Sequence, residues 1–161
     1  MNVVLLSTSA LPPTYFDTVR AELGDPEVTL DVIGWVAPEG EVDDKVTFTL
    51  VGPTDETPTQ ASKYATLAEK LPKAITSSKP IRFLRENQAG KELGKAYWAA
   101  ILSRRDVLDA IDKAAVVVAL DDGAIWAGWH LGQRNAAIPA MLGIPAARRE
   151  LEQLKAPAGH G

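Results

Sequence analysis

Short uninterrupted apolar runs alternate along this chain with stretches whose apolar residues recur every three or four positions. Residues 3–7 (VVLLS) form the first run. It is β-branched at its head and closed by the polar segment 8–13, which predicts a strand buried on both faces. Thr14 and Asp17 then have capping-box spacing, Phe16, Val19 and Leu23 follow at helical spacing, and Gly24-Asp25-Pro26 stops the helix. Residues 30–36 (LDVIGWV) read as a second strand, and residues 46–51 (VTFTLV) alternate apolar and polar like a half-buried one. The acidic linker 37–45 is too short for a helical crossover, so a hairpin or an edge addition is expected.

Residues 52–60 (GPTDETPTQ) have loop composition, Tyr64, Leu67 and Leu71 mark a helix ended by Pro72, and 73–90 is the candidate mobile segment. Leu93, Tyr97, Trp98, Ile101 and Leu102 give the helix expected over 91–104 a wide apolar stripe. Asp106 is expected to cap a short helix containing Leu108 and Ile111. Residues 114–120 (AAVVVAL) are the strongest strand signal, with no polar residue in the run. A helix over 124–133, a turn at 135–139 into a short strand, and a last helix opened by Pro145 complete the reading. Strands alternating with helices predict an α/β fold, a three-layer Rossmann-like sandwich with a mostly parallel sheet. Residues 1–155 are expected to form a single domain, with 156–161 a flexible tail.

Composition narrows the function classes. The chain has 161 residues, 46 % of them apolar and 24 % charged, the balance of one ordinary globular domain. No run approaches the ~18 apolar residues of a membrane helix, and MNVVLLSTSALPP lacks the basic region of a secretory signal, so a cytoplasmic location without a membrane span is expected. With no cysteine and only His130 and His160, disulfides and thiol catalysis are excluded and no metal site is expected. The first sixty residues carry eleven acids against Arg20 and Lys45, whereas ten basic residues face three acids between Lys63 and Arg105. That asymmetry predicts attraction within the chain. The overall charge of -4 argues against nucleic acid as a partner.

Two loops follow the most strand-like runs, where open parallel sheets bind ligands. Ser7, Thr8 and Ser9 in the first supply hydroxyls ahead of a helix N-terminus, which predicts either an anion site or a stiffened helix entry. The second, Asp121-Asp122-Gly123, offers paired carboxylates. Asp121 is the tentative catalytic residue, and Asp121, Asp122 and Gly123 join the first loop as a candidate ligand site. The structural alternative makes Asp122 the helix N-cap, Asp121 a partner of the helix dipole and Gly123 a turn relaxer. Lys79, Arg82 and Arg85 are expected to close over a phosphate. Neither G-x-G-x-x-G nor G-x-x-x-x-G-K occurs, which argues against NAD, FAD and ATP and leaves no cofactor expected. His130 lies about 12 Å along its helix from Asp122, too far to pair with it, and is expected to pack on a tryptophan. Tyr97, Trp98, Ile101, Leu102, Ile125, Trp126 and Trp129 exceed what one face of a sheet covers, so a homodimer is expected.

The VVLLSTSALPP start, the LDVIGWVAPEG strand with its acidic hairpin to VTFTLVG, and DAIDKAAVVVALDDGAIWAGWHLGQRN together resemble the N-terminal Rossmann-like half of GT-B glycosyltransferases. The resemblance implies binding of a nucleotide-sugar or sugar phosphate. It has no glycines in the first loop and no second domain, which implies a half that is incomplete as a transferase by itself. The alternative is a non-enzymatic module that self-associates or binds another protein.

Overall fold

The computed structural model describes residues 1–53 and 79–157, the side chains of 79–90 excepted. Five parallel strands, β1 (Asn2–Ser7), β2 (Thr29–Gly34), β3 (Val46–Leu50), β4 (Val116–Ala119) and β5 (Ala140–Leu142), form one sheet in the order β3-β2-β1-β4-β5. The described helices are α1 (Thr14–Leu23), α2 (Lys79–Leu102), α3 (Arg105–Asp112), α4 (Asp122–Arg134) and α5 (Ile144–Lys155). The α/β sandwich read from the sequence is therefore the fold. Every residue from Val3 to Leu6 and from Val116 to Ala119 is buried, because both strands are covered on two faces.

Alternate residues of those strands feed two separate cores. Val3, Leu5, Val116 and Val118 pack with Phe16, Val19 and Leu23 of α1 and Ile144, Ala147 and Leu151 of α5. Val4, Leu6, Val117 and Ala119 pack with Tyr97 and Ile101 of α2, Val107 and Ile111 of α3, and Ala124, Ala127 and Leu131 of α4. These are the outer layers of a three-layer sandwich.

Several local expectations are corrected. Of the hairpin or edge addition expected after β2, the edge addition is found and the hairpin is not, since β3 runs parallel to β2 at the sheet edge. Its eleven residues need no helix, because an extended chain of that length spans up to ~36 Å, more than the ~17 Å of a five-residue strand. The return is clamped by Arg20 of α1, which forks onto both carboxylate oxygens of Asp43 at 2.7 and 2.8 Å and holds that carboxyl below its ordinary pKa. Thr14 does not cap α1, whose N-cap is Pro13. Asp106 does not cap α3 either: it lies in the first turn and pairs with Arg104. Helix α2 begins at Lys79, inside the segment expected to be mobile. The helix expected around Tyr64 and the end of the tail lie outside the described residues. Among the described residues, Lys155 on Asp25 at 2.7 Å is the ion pair that joins the acidic first sixty residues to the rest of the chain, and it lies outside the basic stretch from Lys63 to Arg105.

Tyr97 ties α2 to the sheet. Its ring is fully buried and its hydroxyl donates to the Ile33 carbonyl at the end of β2. Burial, with the nearby charge of Asp121 adding to it, raises the Tyr97 pKa far above the ordinary 10.0. Unfolding at alkaline pH releases that proton, so this contribution is complete below pH ~10 and declines as pH rises beyond it. Tyr97→Phe is expected to cost about 1–2 kcal/mol at neutral pH in urea denaturation. The deficit should shrink above pH ~10; a deficit that stays constant up to pH ~11.5 would show that the hydroxyl is not held protonated by the fold.

Candidate functional site

The chain leaves β1 for one side of the sheet and later returns to place β4 on the other, so the carboxyl ends of β1 and β4 flank the point where strand order reverses. In open parallel sheets this is where a crevice forms. Here the two strand-end loops meet at one carboxylate. Asp121 has extended backbone, φ -142 and ψ 170, which ends the strand run and aims its side chain at both the start of α4 and the loop after β1.

Five donors converge on that side chain. Oδ1 accepts from the Ala124 N–H at 3.0 Å and the Thr8 hydroxyl at 2.7 Å. Oδ2 accepts from the Thr8 N–H at 2.8 Å, the Ser9 N–H at 3.2 Å and the Ser7 hydroxyl at 3.1 Å. The Ser7 hydroxyl also lies 2.9 Å from the Ser9 carbonyl and has a single proton, so it donates to one of the two at a time. Successive loop N–H groups around an anion form the kind of concavity that elsewhere receives phosphate. Here an internal carboxylate fills it.

Steric detail explains Gly123. A Cβ there would stand 2.3 Å from the Thr8 hydroxyl oxygen and 2.9 Å from its methyl carbon, so only glycine lets α4 start this close to β1. Its role is close approach, not the relaxed turn expected. Asp122 is likewise corrected as a cap: Asp121 occupies that position, and Asp122 is the exposed first residue of the helix. Gly94, which the sequence reading passed over, lets α2 reach α4, since a Cβ would meet the Trp126 Cβ at 3.1 Å. A glycine in the middle of an otherwise good helix was the available signal.

The fold thus brings Ser7, Thr8, Ser9, Asp121, Asp122 and Gly123 together. The side chains of Lys79, Arg82 and Arg85 lie outside the described residues. Two tyrosines missed by sequence reasoning flank the cluster. Tyr15, half-buried in the first turn of α1, has its pKa raised by burial and then by the charges of Glu22 and Asp121; Tyr97 feels Asp121 from below. His130 takes no part. It stacks on Trp98 at 5.2 Å between centroids, 11° from parallel, with Trp126 and Trp129 each at 4.9 Å. Among the described residues no group of His, Cys, Asp or Glu is arranged to hold a metal ion.

No family model, curated protein or solved structure matches this chain.

Asp121 and Asp122 should separate cleanly in mutagenesis. In Asp121→Asn, whichever oxygen becomes the amide then faces a backbone N–H, Ala124 on one side or Thr8 and Ser9 on the other. The expected loss is about 2–4 kcal/mol of unfolding free energy. Asp122→Asn removes only a favourable charge at the start of a helix, worth about 0.3–1 kcal/mol. Equal losses in chemical denaturation would contradict the assignment of the cap to Asp121.

Proposed function

We propose that the crevice at the carboxyl ends of β1 and β4 binds a hydroxyl-rich small molecule, a sugar or the sugar moiety of a nucleotide. The observation that carries this reading is the division of labour between the adjacent acids. Asp121 spends its acceptor capacity on the protein, whereas the neighbouring Asp122 is exposed at the same strand end. A carboxylate in that place is suited to accept protons from vicinal hydroxyls, as acidic residues do with ribose in dinucleotide sites. Ser9, also exposed, provides a second polar group on the rim.

Charge sets the orientation of the ligand. A phosphate against the first loop would meet the Asp121 carboxylate where the Thr8 and Ser9 N–H groups would otherwise receive it. The neutral, hydroxylated part therefore belongs beside Asp122, and a phosphate group, if carried, belongs away from the first loop. In this reading Asp121 is a positioning residue and the domain is a ligand-binding one, glycosyltransferase-like in the sense of the GT-B resemblance. The homodimer expected from the sequence would use another surface.

Titration of ¹⁵N-labelled protein with uridine, UDP-glucose, glucose and inorganic phosphate tests the reading. Uridine or a sugar should shift the amides of Ser9, Ala10 and Asp122 first, and Asp122→Asn should weaken that binding about tenfold, the effect of losing one charge-assisted hydrogen bond. Shifts at these amides with inorganic phosphate alone would reverse the proposed orientation. Silence with all four at millimolar concentration would remove the crevice as a ligand site.

A further inference from the structure

Three large exposed apolar side chains gather where α4 meets the edge strand β5: Trp129 is 60 % exposed, Leu142 63 % and Ile125 39 %. Ile125, Trp129 and Leu142 border a cavity of about 380 Å³ whose remaining walls include Gly128, Gly132, Ala119 and Ala140. Those four residues carry at most a methyl group, so the wall is a hollow with a tryptophan and a leucine standing at its rim. None of the lining residues is charged.

From this we infer that a second copy of the chain docks on the α4–β5 face about a two-fold axis. Three features favour a copy over an unlike partner. First, the same face presents both a projecting apolar side chain and a hollow of matching chemistry, which a two-fold axis joins reciprocally. Second, β5 is the edge of the sheet, and a two-fold axis beside it pairs it antiparallel with its own copy, covering backbone groups that an edge otherwise leaves open. Third, the same axis sets the two α4 helices antiparallel, so the positive N-terminal end of each lies toward the negative C-terminal end of its mate.

Trp129, Leu142 and Ile125 offer roughly 300 Å² of apolar surface as the centre of the contact, and the flanking residues of α4 and β5 supply the rest of the ~800 Å² per partner in a standard interface. The residues that form the interface differ from those expected. Tyr97 and Ile101 are fully buried and Trp98 is stacked on His130 within the chain, whereas Leu102 at the end of α2 is 47 % exposed. This inference does not rest on the crevice reading: its test reads the mass of the assembly, whereas the ligand titration reads the amides of Ser9, Ala10 and Asp122.

Sedimentation velocity on the full chain at about 100 μM, well above the dissociation constant of a micromolar dimer, tests it. The wild type should sediment at twice the 17.3 kDa chain mass. Trp129→Ser and Leu142→Lys, on different elements and both at exposed positions, should each give the monomer mass with an unchanged circular-dichroism melt. Leu154→Lys, 48 % exposed on α5, should remain dimeric. A monomeric wild type overturns the inference. So does a dimer that survives both substitutions, or one that Leu154→Lys also abolishes.

Discussion

One carboxylate bridges the two halves of the sheet where their connections diverge. Asp121 closes β4, caps α4 and fills the concavity made by the Ser7, Thr8 and Ser9 loop, so a single side chain joins the β4–α4 junction to a loop more than a hundred residues away in sequence. Each bond is charge-assisted and all but that of the exposed Ser9 amide are partly shielded from water, which raises their worth above that of a neutral surface hydrogen bond. Leaving those loop N–H groups without an acceptor would cost more than any one bond contributes.

The packing around the carboxylate follows from the distances it imposes. Thr8 can reach Asp121 only if α4 begins nearly in contact with β1, and that is why Gly123 has no room for a Cβ. The same closeness lets α2 lie across the start of α4 through Gly94 and place Tyr97 beneath the cluster, its hydroxyl on the Ile33 carbonyl. A rigid floor results, on which Ser9 and Asp122 remain exposed. Ligand selectivity, in the reading proposed, comes from this asymmetry: the positive end of the helix and the loop N–H groups are already neutralised, so an incoming molecule meets acceptors, not donors.

Much of this was legible in the sequence. The residue-by-residue burial of β1 and β4 announces itself as VVLL and VVVA, and the two loops that close those runs contain the cluster. Which of two adjacent acids turns inward was not legible, because that depends on β4 ending at Ala119 with one further extended residue before Asp121. The parallel course of β3 was hidden for a different reason. Counting residues tells whether a helix fits between strands, but an extended return held by the Arg20–Asp43 pair leaves no periodic signal. The glycines at 94 and 123 act through contacts between helices or between a helix and a loop; a mid-helix glycine flags Gly94 as a close approach, but no local pattern encodes which element it meets.

Native-state hydrogen exchange at the Thr8 and Ser9 amides tests the central role of Asp121 most directly. Both amides lie at a loop, and Ser9 is exposed, so without the carboxylate they would exchange at rates near those of an open chain. With Asp121 accepting from them, their protection should approach that of the β1 amides in the wild type and fall selectively in Asp121→Asn. Wild-type exchange at unprotected loop rates, with β1 fully protected, would contradict the account.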